Sequence, residues 1–464
     1  MKKVLPLVLI SLCLSATAAE ARPGTLDPSF GDRGKAAWPV PLEFDWRNTP
    51  TAIGQLPRGG AIALVGNRLI ALDRDGTLRR GFSRDGFTHI RLPRYAFGAT
   101  LTLADLATDG EGRIVVVGTV TAPADPSREW VQEDASVLVV RLTPYGYYDR
   151  TFAEQGFLLS DLGFRPPPIE PPPGQPTEPP AVTRAVGVAV DAKGRIFLSG
   201  VGIGRIGPCY SREYFSFKDG FVARLQENGD PEPSFGQGGL TIIPGVRTVQ
   251  QPLVTGSGGT FLMKRPEREC SGSDQQIGRV SARGVLAENF GDETELFDSD
   301  STLALDRRNR LLLSWQASKT IWHGEPGPGK SVQFGYLRRL RPNGEVDTSF
   351  GREGTATLTL PGGDFTPSQV LVDPRGRILV AGANPKLERD GRGFFLLSRL
   401  SPVGGLDRDF GKNGWARAEW GNEALVGKLS ATFVKGGRLL MAGVLSDPGL
   451  KYDSGLGFAR FLIR

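Results

Sequence analysis

One eight-residue phrase recurs along the chain, and no other feature limits the possible folds as tightly. Its clearest copies are Gly344-Glu345-Val346-Asp347-Thr348-Ser349-Phe350-Gly351 and Gly24-Thr25-Leu26-Asp27-Pro28-Ser29-Phe30-Gly31. Weaker copies place the same aromatic at Phe82, Phe152, Phe235, Phe290 and Phe410. The seven phrases occupy residues 24–34, 76–86, 146–156, 229–239, 284–294, 344–354 and 404–414, and successive Phe positions differ by 52, 70, 83, 55, 60 and 60. A unit of about 55 to 60 residues, interrupted by insertions, suits a propeller blade.

Each unit holds short apolar runs bounded by turn residues. A strand a follows the phrase, as in Gly414-Trp415-Ala416-Arg417-Ala418; a strand b then enters a tight Asp/Gly turn and strand c, as in Val372-Asp373-Pro374-Arg375-Gly376-Arg377-Ile378-Leu379. Strand d reads Phe221-Val222-Ala223-Arg224-Leu225. With 62 Gly and 35 Pro against 3 Met, the composition agrees with turns and strands rather than long helices. One four-stranded sheet would leave an apolar face and two edges open, and packing seven around an axis buries the faces. The expectation is an all-β, seven-bladed propeller of four-stranded antiparallel blades. The chain ends on a d-like strand, Phe458 to Ile463, with no phrase after it, and the missing phrase opens at Gly24, so the ring should close between the N- and C-terminal segments.

The start of c should lie beside the end of d, which sets an Arg at the first opposite a carboxylate just after the second. Five units carry both: Arg113 with Asp149, Arg195 with Glu232, Arg310 with Asp347, Arg377 with Asp407, and Arg438 with Asp27. Two units lack both, having Ala61 with Arg79 and Thr260 with Ala287. A repeated ion pair that fixes register is the reading, and the last pair would tie the chain ends together.

The phrases, with the Gly-Arg-apolar strand and the Arg-Leu strand between them, resemble the delta-60 repeat, a bacterial β-propeller family of undefined function. The resemblance spans Thr25 to Arg464 and implies a propeller in an exported protein, with no catalytic residues to carry over. Ser83 and Ala153 depart from the Gly after Phe, and Thr294 from the second Gly.

Residues 1–21 have the order of a secretory leader: Lys2 and Lys3, an apolar run from Val4 to Leu14, then small residues. Ala19-Glu20-Ala21 fits a cleavage site, with Ala16-Thr17-Ala18 as its rival. The run is shorter than the ~20 residues a membrane helix needs. Residues 22–464 are thus expected as one propeller, periplasmic or extracellular, monomeric and without a membrane span. Cys209 and Cys270 fall in corresponding c-to-d insertions of neighbouring units, where they are either one disulfide or two free thiols. The formal charge of +6 comes from Lys and Arg dispersed among nearly as many Asp and Glu, a pattern that argues against nucleic acid.

Most insertions fall between a and b or between c and d, on one face of the ring. They include 119–136, 202–218, 264–276, 316–332, 384–392 and 446–455, and the Pro-rich stretch 165–180, a stiff arm or spacer. Trp130, Tyr210, Tyr214, Trp322, His323 and Tyr452 in these insertions are binding candidates, because their rings suit stacking on sugar or peptide. His89 and His323, the two histidines, sit in different units and no metal-ligand or nucleophile motif appears. Gly202-Ile203-Gly204-Arg205-Ile206-Gly207 matches a dinucleotide fingerprint in spacing, but Pro208 follows instead of a helix. The expectation is therefore a non-enzymatic binding or assembly module with a protein or glycan partner on the long-loop face, needing no cofactor or metal. The alternative is a periplasmic propeller enzyme, a lyase, hydrolase or quinone-dependent type, with an axial polar pocket.

Overall fold

The computed structural model describes residues 22–40, 51–92, 98–122, 135–164, 182–209, 212–266, 275–287, 290, 301–321, 330–361, 364–384, 394–420, 424–446 and 454–464. Residues 1–21, expected as a leader, and the Pro-rich stretch 165–180 lie outside these residues. Seven antiparallel sheets form a ring. The first strand, β1 (Lys35–Val40), belongs to the last sheet. Blade 1 is β2 (Thr51–Gln55), β3 (Ala61–Val65), β4 (Arg68–Leu72) and β5 (Phe87–His89). Blade 2 is β6 (Thr100–Thr108), β7 (Ile114–Thr121), β8 (Ala135–Leu142) and β9 (Phe157–Ser160). Blade 3 is β10 (Thr183–Val190), β11 (Ile196–Cys209), β12 (Arg212–Leu225) and β13 (Leu240–Ile243). In blade 4 the inner strand is split into β14 (Val246–Val249) and β15 (Leu253–Val254), either side of Pro252, and is followed by β16 (Thr260–Pro266), β17 (Gln276–Val280) and β18 (Leu286–Ala287). Blade 5 is β19 (Thr302–Leu305), β20 (Leu311–Ile321), β21 (Lys330–Leu340) and β22 (Thr355–Leu358). Blade 6 is β23 (Thr366–Val372), β24 (Ile378–Ala383), β25 (Phe394–Leu400) and β26 (Trp415–Glu419). Blade 7 is β27 (Ala424–Val434), β28 (Arg438–Ser446) and β29 (Ser454–Leu462), completed by β1.

The innermost strand of each blade is b, and the inner strands contact one another in ring order, with β27 returning to β2. Blade and sequence unit are offset by one strand. The strand after each phrase is the outer strand of the blade just left, not the first strand of the next. The phrase is a tight turn folded back on strand d: Asp149 N–H bonds Arg141 O at 2.9 Å, and Asp347 N–H bonds Arg339 O at 2.9 Å. It therefore delivers the chain to the edge of the same sheet. Ring closure uses the same rule, because the first phrase turns onto the last d strand. Leu26 bridges Phe461, and β1 pairs β29 from Lys35↔Ala459 to Val40↔Ser454.

One hydrophobic cluster fills every junction between blades. Middle strands are buried on both faces, which accounts for their unbroken apolar runs. In β24, Leu379 and Ala381 face blade 7 while Ile378 and Val380 face blade 5.

The phrase residues assemble into a latch that the sequence reading placed only in part. Arg141, Arg339, Arg399 and Arg460, all at the same position of strand d, donate Nε to Asp149, Asp347, Asp407 and Asp27 at 2.8, 2.8, 2.8 and 2.9 Å. Their guanidinium groups lie 4.9, 4.6, 4.5 and 4.6 Å from the centroids of Phe152, Phe350, Phe410 and Phe30. Each also donates Nη1 to a backbone carbonyl of the next blade, Arg339 to Pro402 at 2.5 Å and Arg399 to Ile463 at 2.9 Å. Arg141 reaches Glu227 O and Arg460 reaches Arg74 O in the same way. Every latch thus joins a turn, a strand and the neighbouring blade.

Candidate functional site

The inner strands of all seven blades surround an axial cavity of about 770 Å³. Its wall mixes apolar side chains, among them Ile53, Leu106, Leu303, Leu305, Leu371 and Phe433, with polar Gln250, Gln251, Thr302, Ser368, Gln369 and Ser430. Asp105 is the one titratable side chain among the described residues of this wall. Inner strands are sheet edges, and polar side chains here satisfy the unpaired backbone of the adjacent blade. Asp105 accepts Leu106 N–H at 2.8 Å and, across the junction, Val188 N–H at 3.0 Å. Gln369, on the same rung of blade 6, accepts Ala431 N–H of blade 7 at 2.5 Å. Gln251 donates back to Val188 O and Gln250 forward to Ser301 O, both at 3.1 Å. The register shifts at Leu103/Asp105 and Pro367/Gln369 mark β-bulges that re-aim these side chains. Burial pushes the Asp105 carboxyl up to about 7, only partly opposed by its two backbone hydrogen bonds.

The face bearing the c-to-d connections carries two projecting hairpins. The insertions 202–218 and 316–332 were expected as loops, yet strand pairing runs on through much of both. β11 pairs β12 out to Cys209↔Arg212, whereas β10 stops opposite Gly202 and β13 opposite Gly220. The two strands therefore stand about 20 Å beyond their sheet. β20 and β21 pair out to Ile321↔Lys330, beyond β19, which ends opposite Ser314.

At the root of the second hairpin, Trp315 and Tyr336 are cross-strand partners with ring centroids 5.2 Å apart, and Phe334 meets Tyr336 edge-on at 5.2 Å. The Arg338 guanidinium lies 5.5 Å from the Trp315 ring. All three rings are partly exposed. The sequence reading missed this cluster because the rings sit inside strands, not in the insertions to which the search for aromatics was confined.

Of the sequence candidates, Trp130, Tyr210, Trp322, His323, Tyr452 and Cys270 lie outside the described residues. Tyr214 and Cys209 fall on the backbone of the first hairpin, their side chains outside the description. The five ion pairs are distributed differently from expectation. Arg310 approaches Asp347 at 3.4 Å and Arg438 contacts Asp27. Arg113, Arg195 and Arg377 instead meet Asp109, Asp191 and Asp373, four residues upstream, at 2.5, 2.6 and 2.6 Å. Asp149 and Asp407 are held by Arg141 and Arg399, and Glu232 accepts a bond from Ser234. The c-strand Arg finds a carboxylate inside its own turn, whose Asp109 also takes the Arg113 N–H at 2.9 Å. The phrase carboxylate is left to strand d. The signal was legible as the eight-residue spacing of Arg and Asp in 141/149, 339/347 and 399/407.

No family model and no curated protein sequence matches the chain. Among solved structures it is similar to the α-L-arabinofuranosidase Arb93A of Fusarium graminearum, at 12% identity and TM-score 0.39, over 78% of this chain and 93% of that one. It is similar to the plexin A4 extracellular region at 11% identity and TM-score 0.43, covering 92% of this chain and 47% of that one. The NanB sialidase of Streptococcus pneumoniae stands at 8% identity and TM-score 0.36, over 88% and 82% of the two chains. These likenesses identify no shared site or substrate.

Proposed function

We propose that the chain is an exported, non-enzymatic binding propeller of the delta-60 repeat kind, and that it docks a protein or glycan partner on the face carrying the projecting hairpins. The observation that carries this reading is the partly exposed ring cluster Trp315, Phe334 and Tyr336 at the root of a two-stranded arm on a rigid ring. Hairpin edges offer backbone for strand addition, and the rings offer stacking surface. The leader-like order of residues 1–21 supports export. The channel supports a binding role over an enzymatic one, because its carboxylate is already engaged by two backbone amides. The test is capture of envelope components by the full chain, compared with Trp315→Ala and with a variant whose residues 203–218 are replaced by a tight turn. Loss of the captured partner in either variant is expected. Unchanged capture in both overturns the assignment to this face.

A further inference from the structure

On the opposite face, the junction between blades 7 and 1 is charged unlike its counterpart between blades 2 and 3. A cavity of about 440 Å³ there is lined by Arg58, Arg74, Lys435, Arg438 and Arg460, together with Asp75. Each guanidinium nitrogen of Arg460 has a partner: Nε donates to Asp27, Nη1 to Arg74 O and Nη2 to Ser29 Oγ. Arg438 contacts Asp27 through Nε. Asp75 accepts both the N–H and the hydroxyl of Thr77. Arg58, Arg74 and Lys435 form no ion pair among the described residues.

Between blades 2 and 3, the equivalent of Arg438 is Arg113, which is answered by Asp109 at 2.5 Å and Glu227 at 2.7 Å. At the 7–1 junction those two carboxylate positions are held by Val434 and Arg74. One carboxylate is thus lost and the other reversed in sign. Lys435 and Arg58 then add charge from the two flanking b-to-c turns. Five cations face Asp75 and Asp27, an excess of three by subtraction. Gly59 lies between them, where a Cβ built on it would make ordinary contact with Arg74 Cβ at 3.7 Å and Lys435 Cβ at 3.9 Å.

We propose that this junction binds a phosphate-type oxyanion, a mono- or diphosphate group. Guanidinium forks take such oxygens bidentately, and a single carboxylate would leave most of the excess charge unanswered.

The probe is inorganic pyrophosphate, titrated into the full chain by calorimetry and followed by thermal melting, with sodium acetate and sodium chloride at matched ionic strength. Saturable one-to-one binding of pyrophosphate, without matching behaviour in acetate or chloride, is expected. Arg74→Glu should weaken it by about tenfold or more. That variant should melt no lower than wild type without ligand, since it restores the carboxylate present between blades 2 and 3. Lys435→Gln gives a second, milder loss. Absence of saturable binding, equal protection by acetate or chloride, or wild-type affinity in both variants overturns the proposal.

Discussion

Arg460 on the last strand donates Nε to Asp27 in the first turn at 2.9 Å, joining residues 433 positions apart. Both are almost fully buried, Arg460 at 4% and Asp27 at 2% exposure. Burial raises the Asp27 carboxyl, but Ser29, Arg438 and Arg460 outweigh it and hold the group below the usual carboxylate range. Removing Arg460 leaves Asp27 with Arg438 and Ser29 but takes one of its two buried cations and strips Arg74 O of its donor, at a cost of about 2–4 kcal/mol. Arg460→Ala should therefore lower the urea midpoint strongly. Arg417→Ala, whose partner Glu419 is itself well exposed, should cost about 1 kcal/mol or less. Equal midpoints for the two variants would remove the closing role given to Arg460.

Asp105 predicts a pH dependence of opposite sign to that of the latches. Its folded value, about 7, lies above the unfolded value of about 4. Between these limits the folded state holds a proton that the unfolded state has lost, so stability attributable to Asp105 falls as pH rises from about 4 to about 7 and is flat outside that window. Asp27, Asp149 and Asp347 are shifted downward, so their contribution is present above about pH 4 and is lost in more acidic solution. The difference in unfolding free energy between wild type and Asp105→Asn isolates the first effect. It should move against wild type as pH is raised from 4 to about 7.5, and a constant difference would show that Asp105 titrates normally.

What the sequence made legible was whatever recurs. The Phe of each phrase is buried in every copy, whereas the Arg that recurs after the b-to-c turn was read as a partner of the phrase carboxylate and in four units meets the Asp of its own turn. The blade offset was hidden because hydrophobic pattern records which strands are buried, not which neighbour they pair with; backbone bonds such as Asp149 N–H to Arg141 O reveal that the phrase returns to its own strand d. The Asp105 bridge to Val188 was hidden for a related reason. Its rung is Gly187 in blade 3, Thr302 in blade 5 and Ser430 in blade 7, so nothing repeats there for the eye to find. Single-copy features such as the ring cluster at Trp315 and the reversed charge at Arg74 require the fold before their neighbours can be named.

Ala153 follows Phe152 where five other phrases have Gly, and it holds φ at +40°. Gly31, Gly236, Gly351 and Gly411 occupy the same position at +52° to +57°. An L side chain in the left-handed region costs roughly 1–2 kcal/mol, of which the added freedom of glycine in the unfolded chain returns part. Ala153→Gly should stabilise the protein by about 0.5–1 kcal/mol, read as a higher melting temperature. A lower one would mean that the Ala153 methyl makes contacts worth more than the strain.

Gly404 opens the seventh phrase at φ +89° against the preceding blade's latch, and a Cβ built on it would lie 2.9 Å from two carbons of the Phe350 ring. Phe350 is fully buried with the Arg339 guanidinium 4.6 Å from its centroid, so the ring has no space to retreat without disturbing the Arg339–Asp347 pair. Gly404→Ala combines backbone strain with overpacking and should cost about 2–4 kcal/mol. Its neighbour Gly405 faces only Ser401 Oγ, at 3.4 Å, so Gly405→Ala should stay within about 0.5 kcal/mol of wild type. The pair separates blade-to-blade packing from any general intolerance of the turn. Similar losses in both would mean that the turn itself, and not the ring of the blade beneath it, selects glycine.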